Sequence, residues 1–267
     1  MRLLILLLAL GTALAGPPST ASVVSVYDGD TFTLDTGDKV RLQWVNTPEL
    51  RPLEAYGIEA RDSAEAFLGT NPVSLSYGAV QRDSYGRLLA APKVNGTWLA
   101  VHLLEQGLGH VFLIPPVENN VDVEALLAAQ EKARKANRGI WSTDRYQGAL
   151  HITSFHANAS GDDRENINGE YLRICNVTGR PVNLDGFKIA DASGDSWTLP
   201  SLIVPPGHTF KLHSGVGEHQ TDPKSQLAVY LGNTSPIWNN KYDRAVLYDR
   251  YGRVLDAREH APKSSTR

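Results

Sequence analysis

Alternating hydrophobic and polar positions dominate the start of the chain. Phe32 and Leu34 alternate with polar residues, Gly37-Asp38 marks a turn, and Val40, Leu42 and Trp44 resume the alternation. This predicts strands at Ser22–Tyr27, Thr31–Leu34 and Lys39–Val45. The spacing then becomes helical: Ala60, Ala64, Phe67 and Leu68 share one face over Gly57–Leu68, and Asn71-Pro72 breaks the run. Val73–Tyr77 suits pairing with Leu88–Lys93. A second helix is expected over Thr97–Gln106, stopped by Gly107, followed by an extended piece, His110–Ile114, that Pro115-Pro116 closes. A third runs from about Val121 to Asn137, with Gly139 just past its end. Five short strands with three helices at their margins suit an OB-fold barrel.

After Trp141 the helical period disappears. Short runs remain at Ile152–Phe155, Glu170–Cys175, Phe187–Asp191, Ser196–Leu199, His208–His213, Leu227–Leu231, Ala245–Tyr248 and Val254–Asp256. Turn pairs such as Asp185-Gly186 and Ser193-Gly194 separate them, which argues a β-sandwich. The chain is therefore expected to be mainly β with some α, divided into a first domain over 22–145 and a second over 148–260. Each is long enough for its own core, so the first should fold and work without the second.

Residues 1–15 have the form of a signal peptide: Arg2, an apolar run Leu3–Leu10, then Ala13-Leu14-Ala15. The run is shorter than the roughly 20 residues a span requires. The expectation is an exported protein, secreted or periplasmic and cell-envelope, with no transmembrane segment after cleavage; an uncut anchor is the alternative. Cys175, the only cysteine, cannot form an internal disulfide and sits in an apolar run as core filler. Residues 1–145 hold 13 Lys and Arg against 16 Asp and Glu, and residues 146–267 hold 13 against 13. A passive nucleic-acid coating protein would carry a basic excess, so any nucleic acid is held by a few placed groups.

The stretch Tyr27–Glu49 concentrates the chemistry. Asp30 can face a hard cation, Arg41 offers a planar fork matching two phosphoryl oxygens, and Glu49 can take a proton from water. Taken singly, these are also ordinary turn and surface residues. Together, DGDT (Asp28–Thr31), VRL (Val40–Leu42), NTPE (Asn46–Glu49), DSYGR (Asp83–Arg87) and NRGIW (Asn137–Trp141) resemble the staphylococcal nuclease family from about Ser22 to Trp141. The resemblance implies a Ca²⁺-dependent nuclease of DNA and RNA that cuts on the 5′ side of the phosphate. Asp30, Asn46 and the Thr47 carbonyl would hold the ion; Arg41 and Arg87 would clamp phosphate; Glu49 would be the general base. Tyr85 and Phe112 would stack on bases. The chain departs from the family where Asn46 replaces a second aspartate, Ser84 replaces a frequent lysine, and Phe112 stands for one of two tyrosines. Asn46 keeps a carbonyl ligand and drops a charge, weakening the site or marking a module that binds nucleic acid or protein without cutting it.

The second part is similar to the lamin-tail domain, an immunoglobulin-like sandwich. NGEYLRICNVTGRPVNLDGFKIADASGDSWTLP, LGNTSPIWNN and AVLYDRYGRVLD carry the likeness over roughly Gly148 to Ala257. With no acid–base pair or metal cluster, this part is expected to bind or position. Its partner would be an envelope component, a polymer or a protein. Trp238 is expected to plug its core, with a contact surface at Ser235–Asp243 as the alternative. His208, His213 and His219 read as sandwich edge and loop residues, since a zinc site needs tighter clustering.

Overall fold

The alternation over residues 23–42 builds three strands, β1 (Val23–Asp28), β2 (Thr31–Leu34) and β3 (Lys39–Leu42), paired antiparallel with Phe32, Leu34, Val40 and Leu42 buried. Residues 16–117 and 121–260 are described by this computed structural model, and the predicted leader at 1–15 lies outside them. Helix α1 (Gly57–Leu68) buries Ala60, Ala64 and Leu68 at its predicted spacing. It leads to β4 (Val73–Arg82) and β5 (Leu88–Val94), a long antiparallel hairpin. Parallel pairing of β5 with β3 (Val40 opposite Leu88) completes the order Thr20–Ala21, β4, β5, β3, β2, β1. This half-barrel with its helices is the expected OB-fold.

Two sequence expectations are corrected here. The predicted strand Lys39–Val45 stops at Leu42, because Trp44 takes a left-handed φ of 70° and turns the chain off the sheet. Val45–Asn46 then pairs with His110–Val111 instead. The predicted helix Thr97–Gln106 begins two residues later, as α2 (Leu99–Glu105), because Thr97–Trp98 pair back onto β5. Helix α3 (Val123–Lys135) starts with Asp122, whose side chain accepts from the Ala125 N–H.

The second unit holds two four-stranded sheets. One runs β6 (Leu150–His156), β7 (Tyr171–Asn176), β10 (Thr209–His213), β11 (Leu227–Tyr230); the other runs β9 (Ser196–Thr198), β8 (Lys188–Ala190), β12 (Asp243–Tyr248), β13 (Val254–His260). Leu172, Ile174, Ile189, Phe210, Leu212 and Leu247 meet between them with Trp238, which is 5% exposed and plugs the core. Two short strands, Val182–Asn183 and Ile203–Val204, are too brief to leave an alternation. Among the described residues no helix is long and apolar enough to cross a membrane.

The two units share a core. Trp141 and Tyr146 pack with Cys175 and Val177 of the sandwich, and all four are buried. Gln130 of α3 accepts from the Val111 N–H at 2.7 Å and donates to the Val177 carbonyl at 3.2 Å. The Leu113 N–H donates to Gly207 O at 2.8 Å. Burial raises the Cys175 thiol far above its ordinary range, consistent with filler and not with a nucleophile.

Candidate active site

The DGDT turn sits between β1 and β2, and its glycine decides how tightly it closes. A Cβ on Gly29 would stand 2.8 Å from both Ala60 Cβ and Thr47 Cγ2, so only glycine lets the turn rest on α1 and the Thr47 loop. That closure buries Asp28 and Asp30, each 6% exposed. Asp30 Oδ2 accepts from the Thr47 N–H at 2.8 Å and the Thr47 hydroxyl at 3.1 Å. Its Oδ1 faces Thr31 Oγ1 at 3.2 Å and Arg41 Nε at 3.2 Å. Gly107, just after α2, and Gly139 of the NRGIW segment both take positive φ, and a Cβ on Gly139 would lie 2.0 Å from Gly107 O. The two backbones cross there and fix the short helix Gly139–Ser142, which buries Trp141.

Arg41 is wholly engaged with protein oxygens. Its Nη1 donates to Leu42 O at 2.6 Å and Val45 O at 2.8 Å, and its Nη2 donates to Asn46 Oδ1 at 2.9 Å. The arginine thus rests on the two side-chain oxygens, from Asp30 and Asn46, that the sequence assigned to a cation. Arg87 is freer: among the described residues its side chain donates only through Nε, 2.8 Å from Asp83 Oδ2. Asp83 also accepts from the Tyr85 and Arg87 N–H groups, which shapes the turn that presents both side chains.

Glu49 stands in the loop after Asn46, and its carboxylate makes no hydrogen bond among the described residues. Burial raises its pKa, with the charges of Asp30 and Glu54 adding to the rise. Asp28 is pushed up to about 7, first by burial and then by Asp30. Sequence motifs gave neither Asp28 nor Glu54 a chemical role. Glu54 Oε2 accepts from the Glu49 N–H at 3.0 Å, while its Oε1 meets Arg145 at 2.8 Å and Arg258 of β13 at 3.5 Å. The sandwich thereby reaches the loop that carries Glu49. No local motif announces this, because the partners are far apart in the chain.

Asp30, Arg41, Asn46, Glu49, Tyr85, Arg87 and Phe112 all line one cleft of about 730 Å³. Thr47 lies buried behind it. Tyr85 is 74% exposed, with the Arg87 guanidinium 5.6 Å from its ring centre. Phe112 is half-buried beneath Arg41, its ring centre 5.8 Å from the guanidinium, so it supports the arginine as much as it faces the cleft. Trp44 is half-buried, packs against the first domain's core and Trp98, and also lines the cleft.

The donors Asp30, Asn46 and the Thr47 carbonyl are hard oxygens, the kind that suits Ca²⁺ or Mg²⁺. They fit such an ion in kind, since the Thr31 and Thr47 hydroxyls on Asp30 can rotate to release lone pairs. With Asn46 neutral the set has one carboxylate, and among the described residues no three His, Cys, Asp or Glu side chains form a metal-holding group.

Residues 39–143 match the staphylococcal nuclease homologue family and residues 143–261 match the lamin tail domain. The thermonuclease of Staphylococcus hyicus is 33% identical over 130 residues, covering 46% of this chain and 76% of that protein. Endonuclease YhcR of Bacillus subtilis is 29% identical over 146 residues, 47% of this chain but 12% of its own length. Endonuclease YncB of the same organism is 29% identical over 128 residues, 45% of this chain and 60% of its own. This chain belongs to the staphylococcal nuclease family, its nuclease domain followed by a lamin tail domain.

Proposed function

We propose that the protein is an exported, calcium-dependent nuclease that hydrolyses phosphodiester bonds of DNA, RNA or both. The observation that carries this reading is the convergence of Arg41, Glu49 and Arg87 with Asp30 and Asn46 on one cleft. Glu49 takes the proton of the attacking water, and its upward-shifted pKa moves it toward a base matched to neutral pH. Arg87 offers its unengaged Nη edge to a non-bridging phosphate oxygen. A divalent ion on Asp30, Asn46 and the Thr47 carbonyl would neutralise charge on the phosphoryl group. With Asp30 and Asn46 holding an ion, Arg41 would be released from them, and its Nε–Nη2 edge would be open to a phosphate oxygen. Tyr85 stacks on a base, with Phe112 beneath the clamp. The leader at 1–15 supports export to the secreted or periplasmic space, with a domain division near residues 145–148. The lamin tail domain serves as the binding and positioning module.

One observation favours a second reading. Arg41 already satisfies the oxygens assigned to the ion, as a degenerate domain that binds without cutting would also do. Plasmid DNA and RNA degradation by the chain without residues 1–15, with and without a calcium chelator, separates the two. Cleavage abolished by the chelator supports the nuclease; saturable binding without cleavage in excess calcium supports the binding module.

A further inference from the structure

The cleft has a second wall that the nuclease motifs do not supply. Ser154, His156, Tyr171, Arg173 and Lys211, all from the sandwich sheet, line the same cavity as Arg41, Glu49 and Arg87. They share one face by register. Ser154 pairs with Arg173 and Arg173 with Lys211 in one row; His156 pairs with Tyr171 and Tyr171 with His213 in the next. Leu172 and Leu212, the intervening residues, point into the sandwich core.

This face is built around two cations. The Lys211 ammonium lies 4.3 Å from the centre of the Tyr171 ring, whose other neighbours are a stacked His156 at 4.3 Å and a tilted His213 at 5.6 Å. Arg173 Nη1 donates to Thr209 Oγ1 and Gln226 Oε1, leaving its Nε and Nη2 for another acceptor. Among the described residues neither Arg173 nor Lys211 has a carboxylate partner, although arginines and lysines elsewhere in the fold pair with Asp or Glu. Burial lowers the pKa of both, with Arg173 lowering that of Lys211 further, and burial followed by these two charges disfavours protonation of His156 and His213. Two half-buried like charges placed side by side without a counter-ion are a site prepared for an anion.

We propose that Arg173 and Lys211 form a phosphate subsite, through which the lamin tail domain holds the backbone of the nucleic-acid strand beyond the nucleotide being cut. The inference rests on the nuclease reading for the identity of the anion. A strand lying in this cleft meets the nuclease residues on one wall and Arg173–Lys211 on the other. The rings of His156, Tyr171 and His213 stand against one another and fix Lys211, so the subsite reads backbone charge and not base identity.

The test measures binding of labelled single strands of 3 and 12 nucleotides by fluorescence anisotropy, with a calcium chelator present to prevent cleavage. Lys211→Gln should weaken the 12-mer several-fold more than the 3-mer. It should also lower the slope of log affinity against log salt by about 0.7, the value of one phosphate contact on a single strand. Lys211→Arg should restore both. A 12-mer affinity and salt slope unchanged in Lys211→Gln overturn the subsite, even where the wild-type chain cleaves nucleic acid. Lys211-dependent binding by a chain that never cleaves in calcium leaves the subsite standing and sinks the nuclease reading alone. A wild-type chain that binds neither strand in the chelator overturns the subsite.

Discussion

The family resemblance implies an aspartate where Asn46 stands, and the contact of Asn46 with Arg41 gives that departure a physical content. A neutral oxygen 2.9 Å from Nη2 lets the arginine occupy the site that two negative charges would hold for an ion. Asn46→Asp returns a charge, so half-maximal activity should occur at lower calcium; an unchanged calcium dependence would take residue 46 out of the coordination shell. Arg41→Lys keeps the charge but loses the planar fork, and turnover should fall by ~10²–10³ with a smaller change in KM. Near-native turnover in that variant would end the clamp assignment. Asp30, Arg41, Asn46 and Glu49 were legible in the sequence because they lie in contiguous motifs on adjacent strands and the loop after them. The burial of Asp28 and the brace from Glu54 were not, because both depend on how turn, helix and second domain close together.

At the level of elements, periodicity recovered what periodicity encodes. Helix α1 has its predicted ends because Ala60, Ala64 and Leu68 bury one face, and the β4–β5 hairpin pairs as read. Pairs such as Val45–Asn46 with His110–Val111 are too short to leave a pattern. That small strand carries a testable group. His110 is fully buried between Phe112, Tyr146 and His151, and burial together with His151 pushes its pKa down to about 3 from 6.5. The unfolded chain takes up a proton near the ordinary value while the folded chain does not. Its contribution to stability is therefore complete above pH 6.5 and is lost as pH falls toward 3, about 2 kcal/mol of it by pH 5. Asp28 and Glu49, shifted upward, act in the opposite sense, so the comparison must be with a variant. His110→Phe should lose less melting temperature than wild type between pH 7.5 and pH 5; equal losses would contradict a neutral buried His110.

For the molecule as a whole, the sequence suggested two self-sufficient domains, and the shared core argues otherwise. A chain ending at Tyr146 would expose Trp141 and Tyr146, orphan Gln130 from Val177, and free Glu54 from Arg258. Leaving one buried polar partner unmet costs ~1–3 kcal/mol by itself. Truncation should lower the melting temperature by well over 5 °C and reduce activity on oligonucleotides, as thermal scans and a specific-activity assay would report. A truncated form as stable and active as the full chain would show that the interface is incidental. Gln130 and Val177 lie 47 positions apart, and Glu54 lies still farther from Arg258, so composition and spacing carry no trace of these contacts. The central claim is that Glu49, held at the cleft by both domains, takes the proton of the attacking water. Single-turnover cleavage of a labelled DNA oligonucleotide at saturating calcium, with calcium binding measured alongside, tests it most directly. Glu49→Gln should cleave at least ~10²-fold more slowly than wild type while binding calcium equally well. Equal rates in the two proteins, or a wild-type chain that binds calcium and never cuts, would contradict it.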